Sequence, residues 1–142
     1  METALDILDR KGHHVYAISA EDTVYEAVRR MDELHIGALL VMEGGKLAGI
    51  VTERDYTRKI ILKGRTSATT RVGEIMSHRV THVKPQDTVD RCLALMTERK
   101  IRHLPVMDHG EVVGVLSMRD LMTSRAAMNQ FILAQLRGGS AG

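Results

Sequence analysis

The chain repeats itself. Residues 15–55 laid over residues 80–120 align without a gap at an offset of 65. Fourteen positions are identical: Val15, Asp22, Thr23, Val24, Met31, Glu33, Ile36, Leu39, Val41, Met42, Gly45, Gly49, Arg54 and Asp55 all recur in the second copy. Average composition would give roughly one match in fifteen. A repeat of this length makes each copy one supersecondary unit. Each copy alone buries too little apolar surface to be comfortably stable, so the two are expected to pack on each other.

Each copy carries the same local signals. "DTV" predicts a helix start with an acidic cap at Asp22 or Asp87. Apolar residues follow at helical spacing: Val24, Ala27, Val28 and Met31, then Val89, Cys92, Leu93 and Met96. Two short apolar runs around a glycine turn, "ALLVMEGGKLAGIV" and "HLPVMDHGEVVGVL", read as β-hairpins. A second helix starts right after each hairpin, and a short helical turn, "TALDIL" or "TRVGEIM", precedes each copy. The predicted order is turn, strand, helix, strand, strand, helix, performed twice. This is an α+β chain with boundaries at 3–62 and 72–128, a polar linker at 63–71, and a C-terminal helix with a flexible tail over 129–142.

The hairpin-to-helix junction carries a heptad, "GIVTERD" at 49–55 and "GVLSMRD" at 114–120. Two chemistries fit it. A hydroxyl residue followed three positions later by an acid forms a capping box, with Thr52 and Ser117 on helix amides and Asp55 and Asp120 complementing the helix dipole. The same junction also suits a ribose phosphate. Amides at a helix start attract phosphate, Arg54 and Arg119 add full charges, and an ionised Asp accepts hydrogen bonds from two adjacent hydroxyls.

With these residues in place the chain resembles a tandem pair of cystathionine-β-synthase (CBS) domains, a Bateman module, of the stand-alone bacterial type. The resemblance spans roughly residues 3–124. It implies two pseudo-symmetric β-α-β-β-α repeats packed through their sheets, with clefts that take AMP, ADP, ATP, NAD-type dinucleotides or S-adenosylmethionine. By this resemblance Thr52 with Asp55, and Ser117 with Asp120, hold ribose and phosphate. Backbone near Tyr16 to Ile18 and Thr81 to Val83 borders the adenine, and Ile50 and Val115 line the pocket. It also implies basic residues before the hairpin, facing phosphates held by the other copy. Those positions read Arg102-His103 in the second copy but Gly37-Ala38 in the first. One cleft would therefore combine Thr52 and Asp55 with Arg102, His103 and Arg119. The other would combine Ser117 and Asp120 with Arg54, leaving it either roomier or weaker.

Composition narrows the alternatives. Charge is balanced at +2 with acids and bases interleaved, so no nucleic-acid surface stands out. One Phe, three Tyr and no Trp leave nine Met and the aliphatic residues to fill the core. The single Cys92, on an apolar helix face, is expected to be buried and inert, in keeping with a reducing cytoplasm. No signal peptide or membrane span is expected. The histidines, including adjacent His13 and His14 on a predicted strand and His78 and His82 near a turn, lack metal-ligand spacing. No nucleophile motif is present. The chain is expected to bind and signal, to a regulated partner or a second copy, rather than catalyse. A homodimer would bury Val28, Met31, Leu93 and Met96, and the segment "AAMNQFILAQLR" reads as a helix closing an interface. The competing expectation is a structural dimer module with vestigial clefts.

Overall fold

The computed structural model describes residues 1–138. The expected tail at 139–142 lies outside them. The chain forms two compact units. One is Val15–Val80, and the other joins Met1–His14 to the chain from Thr81 onward.

The first unit holds β1 (Ala17–Ile18), α2 (Val24–Leu34), β2 (Ala38–Glu43), β3 (Lys46–Thr52), α3 (Glu53–Tyr56) and α4 (Val72–Ile75). A π-helical turn, Thr57–Ile61, prolongs α3. Its sheet order is β1-β2-β3, with β1 parallel to β2 and β2 antiparallel to β3. The second unit holds α5 (Val89–Arg99), β4 (His103–Asp108), β5 (Glu111–Ser117), α6 (Met118–Leu121) and α7 (Arg125–Gly138), together with α1 (Ala4–Lys11). Strands β4 and β5 pair antiparallel in the register of β2 and β3.

The helical turn before each copy packs with the other copy. Ala4, Ile7 and Leu8 of α1 sit in the second unit's core with Val89, Met96, Leu104 and Leu116. Val72 and Ile75 of α4 sit in the first unit's core with Val24, Leu39 and Val51. Close approach explains a shared glycine. A Cβ on Gly114 would lie 2.6 Å from Leu8, and one on Gly49 would lie 2.7 Å from the Ser77 carbonyl. The polar stretch 63–71 is held to the first unit, since Val24 donates to the Thr70 carbonyl and Tyr25 to that of Ser67.

Several expectations are corrected. The helix caps are Thr23 and Thr88, whose hydroxyls accept from the Glu26 and Arg91 amides. Asp22 and Asp87 stand one residue too early, and instead accept from Ser19 and Lys84. The second copy lacks a first strand and keeps only a parallel bridge, Val83 to Val106. The cause is Pro105. Its counterpart Leu40 donates its amide to Tyr16, and proline has no amide to donate. Met31 and Met96 are 4% and 1% exposed within their own cores, so they are not available to an interface, while Val28 and Leu93 are half-buried. His13 and His14 follow α1 outside any strand. Helix α7 begins at Arg125, inside the stretch expected to close the second copy.

Candidate functional site

Both heptads fold as strand-to-helix junctions. The hydroxyl residue ends the strand in extended backbone, and the Asp enters the first helical turn. The capping box is complete in each unit. In the first, Asp55 Oδ2 accepts from the Thr52 amide at 2.9 Å, and Thr52 Oγ1 accepts from the Asp55 amide at 3.2 Å. In the second, Asp120 Oδ2 accepts from the Ser117 amide at 2.7 Å, and Ser117 Oγ accepts from the Asp120 amide at 3.1 Å. The first helical amide is also used, as Glu53 donates to Gly37 and Met118 to Arg102. The free amides expected for phosphate are therefore reduced, because the incoming loop and the cap satisfy two of them in each unit.

Each carboxylate is held by a lysine that sequence reasoning missed. Lys59 Nζ lies 3.1 Å from Asp55 Oδ1 and donates to the Ile75 carbonyl at 2.7 Å. Lys11 Nζ lies 2.7 Å from Asp120 Oδ2 and donates to the Val115 carbonyl at 2.7 Å. Lys59 follows Asp55 by four residues, a helical spacing that could have revealed it. Lys11 precedes Asp120 by 109 residues, and no local pattern points to it.

The remaining predicted residues divide between the units. In the first, Ile50 and Thr52 lie on β3, and Ala17 pairs with Leu40, which pairs with Ile50. Tyr16 and Ile18 flank that row; Ile18 is buried in the core and Tyr16 is exposed. Arg54 is exposed on α3. In the second unit Val115 is half-buried on β5 and Val83 is buried in the core, so Val83 offers backbone only. Thr81 is half-buried, while Arg102 and Arg119 are exposed. His103 pairs directly across the hairpin with Ser117. Burial pushes its imidazole down to about 4, against the pull of Asp120, with Lys11 and Arg102 adding to the lowering. His103 thus lies within electrostatic reach of the carboxylate in its own unit and stays neutral at pH 7. Cys92 is buried, and burial raises its thiol to about 11, which keeps it protonated and unreactive.

A profile of the CBS domain matches residues 5–62 and again 72–127. The chain belongs to the CBS domain family. The mitochondrial CBS domain-containing protein CBSX3 of Arabidopsis thaliana is 40% identical over 129 residues, covering 84% of this chain and 63% of that relative. The chain therefore spans less than two thirds of that relative's length. Among solved structures, a Burkholderia ambifaria protein described as a signal-transduction protein with CBS domains is 47% identical, with a TM-score of 0.84. That match covers 87% of this chain and 94% of the other. A hexameric CBS-CP12 protein from bloom-forming cyanobacteria is 25% identical with a TM-score of 0.78, over 99% of this chain and 91% of that one. As in those CBS structures, the fold is α+β. Among the described residues no helix is long and apolar enough to cross a membrane.

Proposed function

We propose that this CBS pair is a regulatory module. It binds an adenine nucleotide (AMP, ADP, ATP or NAD) through Thr52/Asp55 and Ser117/Asp120, and passes occupancy to a partner protein without doing chemistry. The observation that carries this reading is the paired carboxylate. Both heptad aspartates are fixed by a backbone amide and a lysine of the chain itself, which lowers the ordering cost of binding a diol. The complete capping boxes favour a second reading, in which the heptads only end strands and start helices.

Asp55→Asn separates the two. Asn caps about as well as Asp, so a pure cap loses little stability. A ribose ligand loses binding, since each hydrogen bond to a charged group contributes about 1.5–3 kcal/mol. In the wild type, ligand at about 100 times its dissociation constant adds about 2.7 kcal/mol, which for a chain of this size raises the melting temperature by about 5–10 °C. A melt unmoved by millimolar AMP, ADP, ATP and NAD, or an Asp55→Asn chain with unchanged affinity and a clearly lower ligand-free melting temperature, favours the structural reading.

The partner surface is proposed to include a second copy. The hexameric assembly of the CBS-CP12 relative supports self-association. So do Phe131, Ile132 and Leu136 of α7, which are 49%, 48% and 74% exposed. Light scattering should give at least a dimer at micromolar concentration, and a stable monomer defeats this part of the reading.

A further inference from the structure

The two half-sites are not equivalent, and the difference lies in how each carboxylate is engaged. Asp55 uses both oxygens and keeps one lone pair, on Oδ1. Oδ2 takes the Thr52 amide and hydroxyl, and Oδ1 takes Lys59. Asp120 takes both of its bonds, from Ser117 and Lys11, on Oδ2. Among the described residues Oδ1 therefore keeps both lone pairs as acceptors. Lys11 has three N–H donors and commits two, to Asp120 and to the Val115 carbonyl. The pair is reachable, with 35% of the Lys11 side chain and 19% of the Asp120 side chain exposed.

Further basic residues belong to the same unit. Lys11 and Arg102 both act on the His103 ring, and exposed Arg119 precedes Asp120 on α6. An acceptor oxygen beside an unspent ammonium donor matches a hydroxyl next to an anionic group. An uncharged nucleoside offers no anion to that donor. The ammonium is held on a strand carbonyl and a capped aspartate, and α1 itself is fixed through Leu8 on Gly114 and Arg10 on Thr123 Oγ1 at 3.0 Å. It is therefore preplaced rather than a loose surface charge.

Resting on the nucleotide reading above, we propose that Lys11 is a binding residue of the Ser117/Asp120 half-site. It selects phosphorylated nucleosides over bare ones by donating to a phosphate oxygen while Asp120 accepts from the ribose.

The test is titration calorimetry of AMP and of adenosine into the full chain carrying Asp55→Asn, which silences the other half-site, with and without Lys11→Met. Methionine keeps an unbranched apolar stem and removes the charge. The expected result is about a tenfold loss for AMP with adenosine affinity within twofold, and Lys11→Arg restoring most of the AMP affinity. A merely structural lysine would weaken both ligands alike; that outcome, or no change in either, overturns the proposal. Binding of neither ligand to the wild type overturns the nucleotide reading and this one with it, and is recognised before any Lys11 variant is made. If Lys11→Met melts early, Lys11→Gln takes its place with the same two outcomes.

Discussion

The two copies share a heptad, a capping box and a hairpin register, yet they secure the same carboxylate from different parts of the chain. In the first copy the lysine is local: Lys59 follows Asp55 within the π-helical turn that prolongs α3. In the second it arrives from α1, which precedes the first copy in sequence. The lengths of the two preceding helices explain this. Helix α4 stops at Ile75, Met76 turns extended with ψ 152°, and Ser77 exchanges two backbone hydrogen bonds with Ile50 on β3. Helix α1 runs on to Lys11, so a side chain reaches Val115, the counterpart of Ile50, in place of a backbone bridge. Repetition sets the frame, and a difference of one helical turn sets the electrostatics of the site.

The largest effect expected from breaking this comparison is on stability. Leu8 is fully buried in the second unit and packs on Gly114, whereas its counterpart Met76 is half-buried beside Gly49. Leu8→Ala should cost about 2–5 kcal/mol, and Met76→Ala clearly less. Urea melts of both variants check this. Equal costs would mean that the longer helix is not the more firmly docked one.

A smaller effect concerns pH. The folded value of His103, about 4, lies below its ordinary 6.5. Between those values the unfolded chain binds the extra proton, so this contribution is whole above about 6.5 and is lost as pH falls toward 4. Between pH 7 and 5 the loss should be about 1–2 kcal/mol. The first copy has Ala38 at this position and contributes nothing of the kind. His13 acts in the opposite sense. Its bond to Asp9, with a second to the Val113 carbonyl, raises its pKa, so its contribution is present at low pH and fades as pH rises through the raised value. Melts of wild type and His103→Gln at pH 7 and 5 isolate the first effect, because His13 is common to both chains. Equal losses in the two chains would place the acid sensitivity elsewhere.

Much of the architecture was legible because it is periodic. The hairpins, the helix after each heptad and the burial of Cys92 follow from alternation, helical spacing and turn residues within a few positions of one another. The capping error was also local. Asp22-Thr23 and Asp87-Thr88 each offer two capping residues in succession, and only the backbone's entry point decides between them. The missing strand of the second copy needed a longer inference, from Pro105 to a bond its counterpart makes across the sheet. At the candidate site the Thr/Ser and Asp positions could be read from the heptad. The lysines could not be read with equal ease, because Lys59 is near in sequence and Lys11 is not.

By itself the sequence determined the number of copies, the hairpin and helices in each and the residues that enter each helix at the heptad. These depend on helical spacing, on pairing across a tight turn, or on direct repetition. Only the tertiary structure decided which core receives each opening helix, and therefore which lysine meets which aspartate. The opening helices "TALDIL" and "TRVGEIM" have similar apolar patterns, so the pattern alone does not say which strand receives which helix. The choice rests on long-range packing of Leu8 on Gly114 and of Met76 and Ser77 on Gly49, which no local periodicity encodes.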